Sequence, residues 1–275
     1  MKTVCQALAV SRSTIIERQR GASRPPRKYR KADDVWLLPM IRALTDERPT
    51  YGYRRIHALL NMQLLQDGKS VVNHKRVYRI MKQNGLLLTR YKGKKPTRPH
   101  DGKVITMKSN LRWCSDVFEI PCWNSEVVRI AFCMDCCDRE VMSYVATSGW
   151  INAKLVRDLM FQAMEYRFGN VDRLPHKIEW LTDNGKYYLA NDTLRFAESI
   201  NLIPCTTPAY SPESNGMAEA FVKTFKRDYV YVHDRPDART VLAQLPGWFE
   251  DYNEVHPHKG LAMSSPREYI MRYSG

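Results

Sequence analysis

The sequence predicts an α/β fold, a mixed five-stranded sheet with helices on both faces, preceded by a small all-helical basic region. Three observations predict it. Residues 110–147 carry three consecutive apolar runs of strand type, NLRWCSDVFEIP, VVRIAFCMDCCDRE and VMSYVAT, separated by the Pro121–Ser125 and Asp138–Glu140 turns. Beyond them helix and strand patterns alternate, and a meander followed by alternation implies antiparallel and parallel pairing within one sheet. Upstream of residue 105 the chain has no strand pattern, only short amphipathic helical stretches between basic linkers.

Taken in order, KTVCQALAVSRSTIIERQR reads as two short helices, with Val4, Leu8 and Val10 facing Ile15 and with Ser11 or Ser13 as a cap. It makes a partial helix-turn-helix over 1–22. SRPPRKYRK then gives a basic linker, 23–32, and Asp33 or Asp34 caps a helix that carries Pro39 and runs to about Leu44. TYGYRRIHALLNMQLL places Tyr53, Ile56 and Leu60 inward. VNHKRVYRIMKQNGL places Val77, Ile80 and Met81 inward, turns Lys75, Arg76, Arg79 and Lys82 outward, and stops at Asn84-Gly85. Residues 33–88 thus form a second helix-turn-helix unit whose basic last helix suits a major groove. A second basic linker, 89–105, separates it from the core at 106–275.

Within the core, INAKLVRDLMFQAMEYRFG is an amphipathic helix with Leu155, Leu159, Met160, Met164 and Tyr166 or Phe168 apolar. A strand over His176–Leu181, a helix near Ala190–Ile200, a strand over Leu202–Thr206 and a helix from about Met217 complete the order, which is the layout of a ribonuclease H-like core, and a helical segment closes the chain.

Charge divides the chain in the same place. The net charge is +14, but residues 1–110 hold 25 Lys and Arg against 7 Asp and Glu, leaving 18 against 22 for the rest. The front is built for a polyanion. Nucleic acid fits better than anionic lipid, because no apolar run approaches the roughly 18 residues of a membrane span. The N-terminal apolar stretch is broken by Gln6 and gives no secretory signal, so a cytoplasmic protein is expected. Seven cysteines at irregular spacing argue against a disulfide framework. Cys133, Cys136 and Cys137, with Cys114 and Cys122, could contribute to a zinc site, but no second CxxC or histidine pair completes one; small buried hydrophobes are the simpler reading.

Two carboxylates stand out by position. Asp183 ends a strand and precedes an Asn184-Gly185 turn, and Glu219 sits in an early turn of a helix, with Lys223 and Lys226 on its face at i+4 and i+7. Asp116, in the first strand, would lie beside Asp183 if their strands were neighbours. Three convergent carboxylates raise each other's pKa and call for cations, and two Mg²⁺ ions would relieve the repulsion. Asp135 and Asp138 rival Asp116 but lie at a strand end beside Arg139 and read as turn or ion-pair residues. Glu213 rivals Glu219 but precedes the helix and reads as a loop or capping carboxylate. Asp192 and Glu198 read as solvated.

WCSD, LTDNG and SPESNGMAE, with Lys226 seven residues past the glutamate, resemble the DDE signature of bacterial insertion-sequence transposases related to retroviral integrases. TYGYRRI with VYRIMKQNGL resembles the helix-turn-helix that precedes the catalytic core in these proteins, and YNEVHPHKGLAMSSPREY resembles their closing segment; together the likeness runs from about Thr50 to Tyr269. It implies an integrase-type core in which Asp116, Asp183 and Glu219 are catalytic and hold two Mg²⁺, replaceable by Mn²⁺. It further implies that Lys226 and Lys223 approach DNA, along with Arg54, Arg55 and the basic last helix. The implied activity is cleavage and strand transfer of double-stranded DNA at an element's inverted repeats, by a homo-oligomer in the bacterial cytoplasm at the nucleoid. Two features depart from the integrase pattern. An N-terminal zinc module is missing, with only His57 and His74 in place, and the truncated first helix-turn-helix fits a second-reading-frame product whose upstream partner supplies the rest.

Other classes fare worse. A single-strand nuclease built on His256-Pro257-His258 with Tyr269 or Tyr273 as nucleophile suffers from proline between its ligands. No histidine begins the HxxR of a tyrosine recombinase. A degenerate, non-catalytic DNA-binding regulator would not need all three carboxylates.

Overall fold

A computed structural model of the protein describes residues 31–32, 34–89, 106–206 and 216–273. The expected first helix-turn-helix, nearly all of both basic linkers, Asp33 and Glu213 lie outside the described residues. The chain divides into two compact units, residues 1–40 and 41–275. Of the first, the described part is the beginning of helix α1 (Asp34–Glu47), which continues through Pro39.

The second unit opens with the remainder of α1, followed by α2 (Tyr53–Gln66) and α3 (His74–Gln83). Asn73 caps α3 by accepting from Lys75 N at 2.8 Å, and the helix buries Val77, Ile80 and Met81 as its spacing predicts. The α2–α3 turn is fixed by Asn61, whose amide both accepts from Val72 N at 2.8 Å and donates to Val72 O at 3.1 Å. His57 also reaches Val72 O.

The sheet contains β1 (Arg112–Pro121), β2 (Val127–Asp135), β3 (Val141–Thr147), β4 (Ile178–Thr182) and β5 (Leu202–Thr206), in the order β3-β2-β1-β4-β5. β1–β2 and β2–β3 pair antiparallel, while β1–β4 and β4–β5 pair parallel. The intervening helices are α4 (Ala153–Phe168) and α5 (Asn191–Ser199); α6 (Gly216–Asp228), α7 (Ala238–Glu254) and α8 (Pro266–Tyr273) follow β5. Alternation along β1 sorts its side chains between two cores. Cys114, Phe118 and Ile120 pack with Phe221 and Phe225 of α6 and Trp248, Phe249 and Tyr252 of α7. Trp113 packs on the other face with Leu159, Met160 and Met164 of α4 and Ala197 of α5. The cysteines fall on both sides, Cys114, Cys122 and Cys136 in the first core and Cys133 in the second, as small apolar fillers.

The helical region does not hang on a free tether. Arg48 makes a two-pronged pair with Asp251 of α7 at 2.7 and 2.6 Å, Thr50 and Arg55 reach Asp228 at the end of α6, and the Tyr51 hydroxyl lies 2.7 Å from Nδ1 of the buried His256.

Candidate active site

Asp116 and Asp183 are brought together by strand register. The last paired residues of the parallel β1–β4 ladder are Cys114 and Leu181; Asp116 follows two residues later within β1, and Asp183 stands just past the end of β4, near enough that its charge acts on the Asp116 carboxyl. Asp183 leaves the strand in a tight turn, its Oδ1 accepting from Gly185 N at 3.0 Å. A Cβ on residue 185 would meet the Tyr187 ring at 2.9 Å and Asp183 Oδ1 at 3.0 Å, so a larger residue would push the ring and the carboxylate out of place. The turn is tied back to β1 by the buried hydroxyls of Tyr188 and Ser115, 2.5 Å apart. Tyr187 lies close enough to the carboxylates that burial, with Asp183 and Asp116, pushes its phenol up to about 12.

Glu219 occupies the first turn of α6, and Phe221 and Phe225 press that helix onto the sheet face carrying Asp116. Burial, with Asp183 and Glu219, pushes the Asp116 carboxyl up to about 6, against the hydrogen bond from Val117 N at 2.7 Å and the charge of Lys226. The three carboxylates therefore feel one another. Among the described residues, however, no three His, Cys, Asp or Glu side chains close around a common point. Glu219 is turned along its helix to Lys223 at 3.2 Å, a pair largely in solvent. Lys226 lies over the Phe118 ring at 5.8 Å, two residues along β1 from Asp116. The donor set is entirely anionic oxygen, which fits a hard divalent cation.

The rival carboxylates have other occupations. Asp135 is fully buried, accepts from the backbone of Asn110, Cys137 and Asp138, and is pushed up to about 6 by burial and then by Asp138. Asp138 and Glu140 pair with Arg167 of α4, each at 3.1 Å, rather than with Arg139. Asp192 and Glu198 are exposed. Burial holds His256 well below the ordinary histidine range and brings His258 down to about 3, so neither presents a titrating imidazole to a substrate.

Of the basic residues expected at DNA, Lys75, Lys82 and Arg54 are exposed, Arg76 and Arg79 are half-buried, and Arg54 stacks 5.6 Å over the Tyr53 ring. Arg55 differs. Its guanidinium turns inward to Asp228 at 2.9 Å, because that carboxylate, with no exposed side-chain surface, requires a counter-charge. Sequence reasoning missed Arg48, Asp228, Asp251 and Arg167 altogether. Their pairings across 29 to 203 residues, Arg167 with Asp138, Arg55 with Asp228 and Arg48 with Asp251, leave no mark in local spacing.

Fold and site together define a polynucleotidyl-transferase type of core joined to a helix-turn-helix, and comparison with known proteins agrees. An HTH-like domain family matches residues 31–95, and two integrase core domain families match 107–212 and 204–266. The InsD transposase of insertion element IS2A/D/F/H/I/K from Escherichia coli is 48% identical over 270 residues, 97% of this chain and 89% of the relative. InsD of IS2-9 from strain K12 is 48% identical over 97% of this chain and 88% of its own length. The chain belongs to this insertion-element transposase family. Among solved structures, a chain of the simian T-cell lymphotropic virus intasome superposes with a TM-score of 0.50 at 15% identity, over 76% of this chain and 69% of the other, a likeness of fold.

Proposed function

We propose that this chain binds the inverted repeats of a mobile element and catalyses metal-dependent cleavage and strand transfer of double-stranded DNA, with Asp116, Asp183 and Glu219 as its catalytic carboxylates. The observation that supports this reading is the pairing of β1, which carries Asp116, with β4, which ends one residue before Asp183, together with the packing of the Glu219 helix on the sheet face that carries Asp116. Two Mg²⁺ ions held there, or Mn²⁺ in their place, would supply Lewis-acid activation of the attacking oxygen and stabilise the leaving one. The residues of the chain prepare that site. Asp116 offers a carboxyl that burial and its neighbours raise to about 6, Asp183 is fixed by its turn, and Glu219, paired with Lys223, would join them in holding the ions. Lys226, beside Asp116, is placed for the phosphate next to the reacting bond.

In the first step water opens a phosphodiester at the element's end and leaves a 3′-hydroxyl. In the second that hydroxyl attacks a target phosphodiester in line, forming one P–O bond as another breaks, with its proton passing to solvent and no covalent enzyme intermediate. Arg54, Lys75, Arg76, Arg79 and Lys82 hold the end. Two ends must be held together, so the working form is a homo-oligomer on DNA, with the product of an upstream reading frame as a further partner.

The test is strand transfer of a pre-cleaved end into a plasmid with and without Mg²⁺. Asp116→Asn and Asp183→Asn should abolish it while end binding stays within a few-fold. Activity that survives chelation or either substitution excludes the reading.

A further inference from the structure

The helix that carries Glu219 ends in a carboxylate used in an entirely different way. Asp228 has no exposed side-chain surface, yet it is fully engaged. Thr50 Oγ1 donates at 2.6 Å, Arg55 Nη1 at 2.9 Å, and Arg227 Nε and Nη2 at 2.6 Å each. Thr50 and Arg55 bracket the N-terminus of α2, whose Gly52 supplies no side-chain cap. Asp228 is thus the polar anchor for that end of the helix-turn-helix region. Nine residues separate it from Glu219, about 13 Å along the axis and half a turn round it. One end of α6 faces Asp116 and the opposite side of its other end grips the DNA-binding region. Phe221 and Phe225, buried between them, keep α6 from shifting independently of the sheet.

A second tie runs parallel to the first. Asp251 accepts from both prongs of Arg48 and from the Tyr229 hydroxyl at 2.8 Å, just past the end of α6. The backbone joining Glu219 to Asp228 is continuous helix, the least compliant path the chain can offer.

We propose that Asp228 is a positioning residue: by holding Thr50 and Arg55 it fixes the DNA-binding helices relative to α6, so that the phosphodiester presented to Glu219 is set by one rigid connection. This rests on the reading of Glu219 as catalytic and of residues 50–82 as the end-binding region. It makes Arg55 a member of the connection rather than a DNA contact, and it makes accuracy of cutting, more than affinity, the property that Asp228 controls.

The experiment uses the full-length chain carrying Asp228→Asn, which keeps the volume and one acceptor but removes the charge, alongside Thr50→Val, a milder change that leaves the ion pair. Each is compared with wild type on an end-labelled duplex of the element's terminal repeat, at concentrations giving equal occupancy in gel shift. In parallel, hydrogen exchange is followed at the amides of Arg55 and Ile56, which both donate to Gly52 O. Asp228→Asn should scatter the cut over neighbouring phosphodiesters and lower strand transfer at equal occupancy by roughly ten- to a hundredfold, the scale of a misplacement of about 1 Å. Its two amides should exchange faster. Thr50→Val should do the same to a lesser degree, and the double variant should fall short of the sum. A merely destabilised protein would lose active fraction without moving the cut.

A single wild-type cut position for both variants at equal occupancy, with a wild-type rate, overturns the proposal whatever the exchange shows. So does a loss of activity explained wholly by lost end binding. If wild type itself shows no metal-dependent cleavage, the catalytic reading falls instead; the exchange result then decides whether Asp228 holds α2, unchanged protection overturning that connection and faster exchange supporting it.

Discussion

Replacing Asp116 by asparagine should make the metal-free protein more stable while destroying its activity. The folded protein moves this carboxyl from the ordinary 3.8 to about 6, first by burial and then by Asp183 and Glu219. At ~1.4 kcal/mol for each tenfold change in the acidity constant, that rise corresponds to ~3 kcal/mol acting against the charged, folded form. The sign follows from proton binding. Below pH 3.8 the carboxyl is neutral whether folded or unfolded and nothing is lost; between 3.8 and about 6 the unfolded chain ionises first; above 6 the whole penalty is in force. Asparagine, neutral throughout, escapes it. Because the carboxyl keeps some contact with water, and the asparagine amide must find partners of its own, a gain of about 1–3 kcal/mol at pH 7.5 is expected. Urea unfolding of EDTA-treated protein, followed by tryptophan fluorescence, measures it. Wild type and variant should converge at pH 4, and Mg²⁺ should stabilise wild type far more than the variant. Equal stability at pH 7.5, or a gain that persists unchanged at pH 4, would refute the argument that burial and the neighbouring carboxylates disfavour the ionised Asp116.

Glu219→Gln keeps size but removes charge, and strand transfer of a pre-cleaved end should fall by on the order of a thousandfold with binding intact; a loss below tenfold would remove Glu219 from the site. Lys226→Ala should weaken engagement of the end by roughly 1–3 kcal/mol, read as a shift in the binding isotherm with Mg²⁺ affinity unchanged. Lys75→Ala and Lys82→Ala should each lower the slope of log affinity against log salt by about 1, and an unchanged slope would take α3 off the phosphates. Arg167→Met removes the counter-charge of the buried Asp138, while Glu140 keeps Arg267 and Tyr166, and should destabilise by about 3–5 kcal/mol in denaturant titration; a change under ~1 kcal/mol would refute the need for that pair.

The sheet was legible because its strands alternate: β3 and β5 begin and end where their apolar patterns do, and β4 differs from expectation only at its ends. Asp183 and Glu219 were legible because a strand end and a helix start each have local markers. Asp116 needed an added assumption, adjacency of β1 and β4, and the ladder supplies it. In the amphipathic helix before β4 the inward set is centred on Val156, Leu159, Met160, Ala163 and Met164, whereas Tyr166 faces outward and bonds Glu140. Contacts of long sequence separation stayed hidden. Asp138 reads as a turn or ion-pair residue and is in an ion pair, but its partner is Arg167 on α4, 29 residues away. Arg55 looks identical to Arg54 in a string of letters; only the buried carboxylate behind it separates the two.

The order of the strands also sets when the site can form. Turns of five residues join β1 to β2 and β2 to β3. The β1–β4 pairing must instead bring together residues such as Arg112 and Glu179, 67 positions apart. Closing the longer loop adds roughly 2 kcal/mol of chain entropy, so the meander is expected to condense first and β4 to join late. Asp183 then meets Asp116 only after the rate-limiting barrier, and the repulsion between them should leave the folding rate alone and speed unfolding. A divalent cation would act on that same limb of the kinetics, lengthening the life of the assembled protein without hastening its assembly. Stopped-flow traces in which Mg²⁺ altered refolding but not unfolding would reverse this order of events.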